Sequence, residues 1–314
     1  MRDDELVVIG GSASPLLTKE ICQILNVPAG KGEVLRFSDG NLFVKVGQNV
    51  RGRHVYIVQS TVFPANDNFM ELLFWVDALK RASAASITVI IPYFSYAKGD
   101  KKDEPRVSIR ARVCAQSLEV AGADRVVTLD LHAPQIQGFF GVPVDDLYAL
   151  PALTDTIAAE ALDELVIVSP DAGFAKKAKQ YAKRLNAPLA IADKERVDHS
   201  ENARVVDLIG EVEGKNAVIV DDFTITMGTL AEVADCLIER GARSVRAAVT
   251  HGVFTGKAMQ RLDGSAIETL YVTDSVENSP VTISPRVKTV SVAPLFAEAI
   301  SRIHRRESLS ILFG

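Results

Sequence analysis

The sequence predicts an α/β protein of two related domains, each a mainly parallel sheet with helices on both faces. Three observations predict it. Short β-branched runs recur along the chain with almost no polar interruption, the pattern of strands covered on both sides. Amphipathic stretches at helical spacing lie between them. The stretch Gly52 to Phe94 is also echoed by Gly214 to Phe254: strand, loop, helix, short turn of small residues, then a strand ending in an aromatic loop.

In chain order, the runs from Leu6 to Ile9, His54 to Val58, Ile87 to Ile91 and Arg125 to Leu129 are predicted strands of the first domain. Those from Leu165 to Val168, Ala217 to Val220 and Val245 to Val249 are predicted strands of the second. Phe69, Leu72, Leu73, Val76 and Leu79 share one helical face, as do Leu230, Val233, Ala234 and Leu237. The boundary is expected between Tyr148 and Leu153, dividing residues 1–148 from 149–314, with the C-terminal tail a candidate to pack on the first domain. At 314 residues each half is long enough for its own core.

A chain that is 47% hydrophobic and 24% charged is globular rather than disordered, and a net charge of −5 offers no attraction to nucleic acid. The distant cysteines Cys22, Cys114 and Cys236 sit in apolar surroundings and read as buried reduced thiols. Met1-Arg2-Asp3-Asp4-Glu5 is too acidic for a signal peptide, and no apolar run reaches membrane-spanning length. The expectation is a soluble cytoplasmic protein with neither a nucleic-acid nor a membrane partner.

Ligands of such sheets bind beyond the carboxyl ends of the strands, so the residues just after each strand carry the chemistry. The first copy of the repeat ends its strand in Gln59-Ser60; the second ends in Asp221-Asp222. From Ala217 to Thr229 a buried strand leads through two carboxylates and a loop of small and hydroxylated residues into a helix. Backbone N–H groups at that helix start, with the Thr226 and Thr229 hydroxyls, can cradle a phosphate. Adjacent carboxylates repel phosphate but accept hydrogen bonds from the two hydroxyls of a ribose. The competing reading is a plain turn with aspartate as a helix cap. Only the second copy is therefore expected to hold a phosphosugar.

This segment resembles the phosphoribosyl-diphosphate motif shared by phosphoribosyltransferases and ribose-phosphate diphosphokinases. Other segments resemble the diphosphokinases in particular. Thr128 to Phe140 is similar to their segment with a magnesium-binding histidine and aspartate, and Ser169 to Gly173 to the loop with a second metal-site acid. Ile191 to Arg196 resembles their catalytic loop, and Pro92 to Arg106 their ATP loop. Arg36 to Gly40 is similar to a segment that reaches the nucleotide of a neighbouring subunit, and the likeness continues to Ser310.

The resemblance implies a phosphoribosyltransferase-like fold and Mg²⁺-dependent transfer of the diphosphoryl group of ATP to ribose 5-phosphate. It implies Lys194 and Arg196 as catalytic groups, and Asp221, Asp222, Thr226, Gly228 and Thr229 for ribose 5-phosphate. It further implies Phe37, Asp39, Asn41, Lys98, Gly99, Asp103, Arg106 and His132 for the nucleotide, Asp130, His132 and Asp171 for Mg²⁺, and a homohexamer built from dimers.

Four positions depart from the family pattern. Ile225 stands where an aspartate is usual, Lys98-Gly99 where Arg-Gln is usual, and Asn41 where a glutamate is usual. All face expected ligands, while the metal and catalytic-loop residues are kept. The pattern leaves open a related diphosphokinase or phosphotransferase with another nucleotide or sugar phosphate. A non-catalytic regulatory homologue is also open, against which Lys194, Arg196 and His132 argue. A phosphoribosyltransferase would need neither the ATP loop nor the first domain.

Overall fold

The computed structural model describes residues 6–196, 203–277 and 282–313, with the backbone alone for 193–196 and 203–206. The chain forms two compact units. The first runs to Tyr148 and also takes Ser275–Glu277 and the chain from Val292 onward; the second takes Ala149–Asp274 and Asn278–Ser291.

The first unit begins β1 (Leu6–Gly10), α1 (Pro15–Leu25), β2 (Gly32–Arg36), β3 (Leu42–Val46) and β4 (His54–Val58). It continues α2 (Ala65–Arg81), β5 (Ser86–Ile91), α3 (Arg110–Ala121), β6 (Arg125–Leu129) and β7 (Val144–Leu147). Its main sheet has the order β1-β4-β5-β6-β7, every neighbouring pair parallel. A separate antiparallel hairpin, β2-β3, leans Val34, Val44 and Val46 on the core. Trp75, Leu72 and Leu79, on one face of α2, are fully buried there, and helix packing of this kind is the main source of a short helix's stability.

The second unit comprises α4 (Leu150–Ala159), β8 (Leu165–Ser169), α5 (Ala175–Arg184), β9 (Leu189–Arg196) and β10 (Ala203–Ile209). It goes on through β11 (Asn216–Thr224), α6 (Gly228–Glu239), β12 (Ser244–Gly252), α7 (Ala258–Gly264), β13 (Ile267–Thr273) and β14 (Val287–Val290). The sheet order is β10-β9-β8-β11-β12-β13-β14, parallel except for the β9–β10 edge pair. β11 is central, so Ala217, Val218, Ile219 and Val220 are all buried, as the unbroken apolar run requires. Leu230, Val233, Ala234 and Leu237 pack α6 into this core. Truncating Leu230 to Ala, at the first turn of α6, would cost about 2–5 kcal/mol and loosen the loop that feeds the helix. The last helix, α8 (Ala293–Arg305), returns to the first unit.

The repeat seen in the sequence extends to hydrogen bonds. Gly52 precedes β4 with φ +71° and Gly214 precedes β11 with φ +70°. The Gly52 N–H donates to Ser83 at 2.9 Å and the Gly214 N–H to Gly241 at 2.8 Å, each joining the turn before the strand to the turn after the helix. Matching bonds run from Ala85 to Arg53 and from Arg243 to Lys215, both at 2.8 Å. Cys22 and Cys114 are buried and Cys236 half-buried, all three as free thiols. No described helix is long and apolar enough to cross a membrane.

Candidate active site

In the second unit, β11 emerges from the core at Asp221 and Asp222, and residues 225–227 turn into α6. The turn is held by its carbonyls. Thr224 accepts the Val253 N–H at 2.9 Å, Ile225 the Thr255 N–H at 3.1 Å, and Thr226 a hydrogen from Arg261 Nη1 at 3.1 Å. Among the described residues, none accepts a hydrogen from the backbone N–H groups of residues 225 to 230. A run of unclaimed N–H groups over a turn and a helix start, with the carbonyls fixed elsewhere, is an anion cradle. Met227 enters α6 in the left-handed region, φ +64°, and no side chain caps the helix, so the aspartates are not its caps. A Cβ on Gly228 would meet only Arg261 at 3.4 Å and Thr226 at 3.6 Å. The protein therefore does not itself demand glycine there; a closely approaching ligand would.

Asp221 Oδ1 accepts the Asp222 N–H at 2.9 Å, and Asp222 Oδ1 accepts the Phe223 N–H at 3.0 Å. Part of Asp221 reaches the surface, yet its carboxyl is enclosed. Burial first, then the charge of Asp222, with Asp171 further down, pushes it well above the usual carboxylate range. Asp171 is exposed at the start of the loop after β8. Its Oδ1 accepts the Phe174 N–H at 2.9 Å ahead of α5, while Ser169 Oγ donates to its carbonyl at 2.7 Å. One carboxylate oxygen of Asp171 is thus engaged in a local turn. The backbone of Lys194 and Arg196 lies on β9; their side chains lie outside the described residues.

In the first unit, Phe37, Asp39 and Asn41 are exposed at the tip of the β2–β3 hairpin. Asn41 Nδ2 donates to Asp39 Oδ2 at 2.7 Å and its backbone N–H to Oδ1 at 3.0 Å. A glutamate at this position has no side-chain hydrogen to give. Lys98 and Gly99 form a short 3₁₀ turn after β5, Lys98 exposed and Gly99 buried, and Asp103 and Arg106 are exposed beyond it. Asp130, buried and with φ +44°, directly follows β6, and His132 is exposed two residues later. Gln135 Nε2 donates to Asp100 at 3.0 Å, so the segment of Asp130 and His132 is tied to the loop of Lys98 and Gly99.

Left-handed backbone occurs at Tyr96, Arg106, Asp130 and Met227, all on these loops. Burial, with the negative charge of Asp146 and Asp130, also pushes the Tyr148 hydroxyl up. Arg261, which fixes the cradle, and Gln135, which ties the first-unit loops, have no signature in the sequence.

By its geometry, the second unit is an α/β unit with a row of unclaimed backbone N–H groups at a helix start and a paired carboxylate beside it. Residues 6–122 match the N-terminal domain of ribose phosphate pyrophosphokinase, and residues 199–314 a phosphoribosyl synthetase-associated domain. The ribose-phosphate pyrophosphokinase of Burkholderia pseudomallei is 48% identical over 99% of this chain and 98% of that protein. That of Bacillus subtilis is 45% identical over 99% of this chain and 98% of its own length. The crystal structure of phosphoribosylpyrophosphate synthetase from Mycobacterium smegmatis aligns with a TM-score of 0.90 at 37% identity, over 96% of this chain and 99% of that one. The chain belongs to the ribose-phosphate pyrophosphokinase family.

Proposed function

We propose that the protein transfers the β,γ-diphosphoryl group of ATP to the C1 hydroxyl of ribose 5-phosphate. The hydroxyl oxygen attacks the β-phosphorus, the bond from that phosphorus to the α-bridging oxygen breaks, and AMP leaves; the hydroxyl proton passes to solvent. The observation that carries the sugar half is the row of unclaimed N–H groups from 225 to 230 beside Asp221 and Asp222. Thr226, Gly228 and Thr229 take the 5-phosphate at the helix start, and the two carboxylates accept from the ribose diol.

Lys98, Gly99, Asp103, Arg106 and His132 serve the nucleotide, with Phe37, Asp39 and Asn41 reaching that of a neighbouring copy. Lys194 and Arg196 offset the negative charge that builds on the phosphoryl oxygens in the transition state.

The proposed metal is Mg²⁺. Among the described residues no group of three or more His, Cys, Asp or Glu is gathered as a cage. Mg²⁺ needs none, because it keeps waters and binds through one or two carboxylates together with substrate phosphates. Asp130 and His132, two residues apart just after β6, offer a carboxylate and an imidazole, and Asp171 offers a carboxylate in the second unit. When bound, the ion shields phosphate charge and orients the diphosphoryl group.

The proposed assembly is a homohexamer built from dimers. Its support is the exposed hairpin tip, where Phe37 is 50% and Phe43 41% accessible on a β-ribbon that stands apart from the main sheet. The proposed compartment is the cytoplasm, which suits cysteines held as free thiols.

Sedimentation at nanomolar concentration tests the assembly, an active monomer being the contrary result. Isothermal titration with ribose 5-phosphate tests the sugar site. Wild type should bind it, and Thr226→Val with Thr229→Val should weaken binding about 10-fold or more; unchanged binding would remove the cradle from the account.

A further inference from the structure

The two departures at Lys98-Gly99 look like a loss of polar contacts, but the structure fills the space that Gly99 leaves. A Cβ built on Gly99 would stand 2.5 Å from Arg110 Nε, 2.9 Å from Arg110 Cβ and 3.2 Å from Arg110 Cζ. The guanidinium of Arg110 therefore lies across the glycine. Arg110 is the first residue of α3, so its Cβ is fixed by the helix and cannot swing aside. Any larger residue at position 99 must push the first turn of α3 or drive the guanidinium off the loop.

Arg110 is also exposed, and among the described residues none is hydrogen-bonded or ion-paired to it. Asp100, the acid next to Gly99 in the chain, accepts from Gln135. An arginine seated on a close-packed glycine, with its fork of donors unclaimed by protein, is set up for a planar, multi-oxygen anion.

We infer that Arg110 is a nucleotide-binding residue, its guanidinium contacting the polyphosphate of ATP, and that Gly99 is the small residue that admits it. The inference rests on the reading of Lys98-Gly99 as a nucleotide loop. It assigns to Arg110 the bidentate grip that Lys98, a point charge, cannot supply.

The test compares wild type with Arg110→Gln, Arg110→Lys, Gly99→Ala, the double variant Gly99→Ala/Arg110→Gln, and Lys98→Ala. ATP affinity is read by calorimetry with Mg²⁺ and no sugar phosphate, and KM is read for each substrate. Arg110 is exposed and, among the described residues, unpaired, so the Arg110 variants should leave the melting temperature close to wild type.

Arg110→Gln should weaken ATP about 10-fold, the usual scale of a charged hydrogen bond, and leave the KM for ribose 5-phosphate unchanged. Arg110→Lys should recover part of the loss. Gly99→Ala should reproduce it, and the double variant should be no worse than either single one, since both remove the same contact.

Unchanged ATP affinity in Arg110→Gln, with a loss in Lys98→Ala, would overturn the role of Arg110 and leave the nucleotide loop standing. No change in either would sink both. Equal damage to the two substrates with a lowered melting temperature would make Arg110 a structural residue only.

Discussion

Asp221 and Asp222 are joined in sequence, and the first accepts the backbone N–H of the second through Oδ1 at 2.9 Å. That bond aligns two carboxylates at the mouth of a buried strand, where burial and mutual repulsion disfavour two full charges. Such a pair suits a ligand that brings hydroxyl donors, and is costly while empty.

The cost has a pH signature. A carboxyl whose folded pKa lies above its unfolded value holds its proton longer when folded. The stability it contributes is full below the unfolded pKa and is lost as pH rises through the folded one. Asp221→Asn keeps an oxygen for the Asp222 N–H but cannot ionise. The variant should melt above the wild type at pH 8, with the gap closing toward pH 4, and should lose ribose 5-phosphate affinity about 10-fold or more. Thermal melts across that range check it. A gap that widens on acidification would show the sign to be wrong.

Lys194 is the sharpest test of the catalytic assignment. Removing one preorganised cation from the transition state costs on the order of 10²- to 10³-fold in kcat. Lys194→Ala should show such a loss with an unchanged melting temperature. Normal turnover would move the catalytic loop elsewhere.

Ile225 sits in the turn whose carbonyl is held by Thr255. Because that bond is to the backbone, Ile225→Asp leaves the turn's fixing intact and adds a carboxylate beside the sugar. The variant should turn over ribose 5-phosphate faster than wild type. Loss of activity would mean that the isoleucine is fitted to a different acceptor.

Gly99 offers no side chain to a nucleotide base, and Asn41 is engaged with Asp39. A site without dedicated hydrogen bonds to a base discriminates by roughly 10- to 100-fold rather than by 10⁴-fold. Steady-state kinetics with ATP, GTP and CTP should give kcat/KM values within that narrower span. Exclusive use of ATP would refute it.

The parallel sheets were legible because their strands are apolar on both faces: Val55 to Val58 and Ala217 to Val220 are buried without exception. The hairpin was not read as strands, since β2 and β3 are short and half exposed, and Asp39-Gly40 looked like a ligand segment. β9 hid behind its own chemistry, because Asp193-Lys194-Glu195-Arg196 reads as a polar loop although its backbone pairs with β10. The pair Asp221-Asp222 announced itself by contrast with Gln59-Ser60. Arg261 and Arg110 did not, because their roles depend on which loop the folded helix lays them against, Thr226 for the first and Gly99 for the second.

Transfer of a diphosphoryl group to the sugar is what distinguishes the proposed reaction. ATP labelled at the β-phosphorus, incubated with ribose 5-phosphate and Mg²⁺ and then separated, measures it directly. Label should appear in a sugar product formed one-for-one with unlabelled AMP, and Lys194→Ala should slow its formation on the order of 10²- to 10³-fold. Label remaining in ADP, or AMP appearing with free labelled diphosphate and no sugar product, would contradict it.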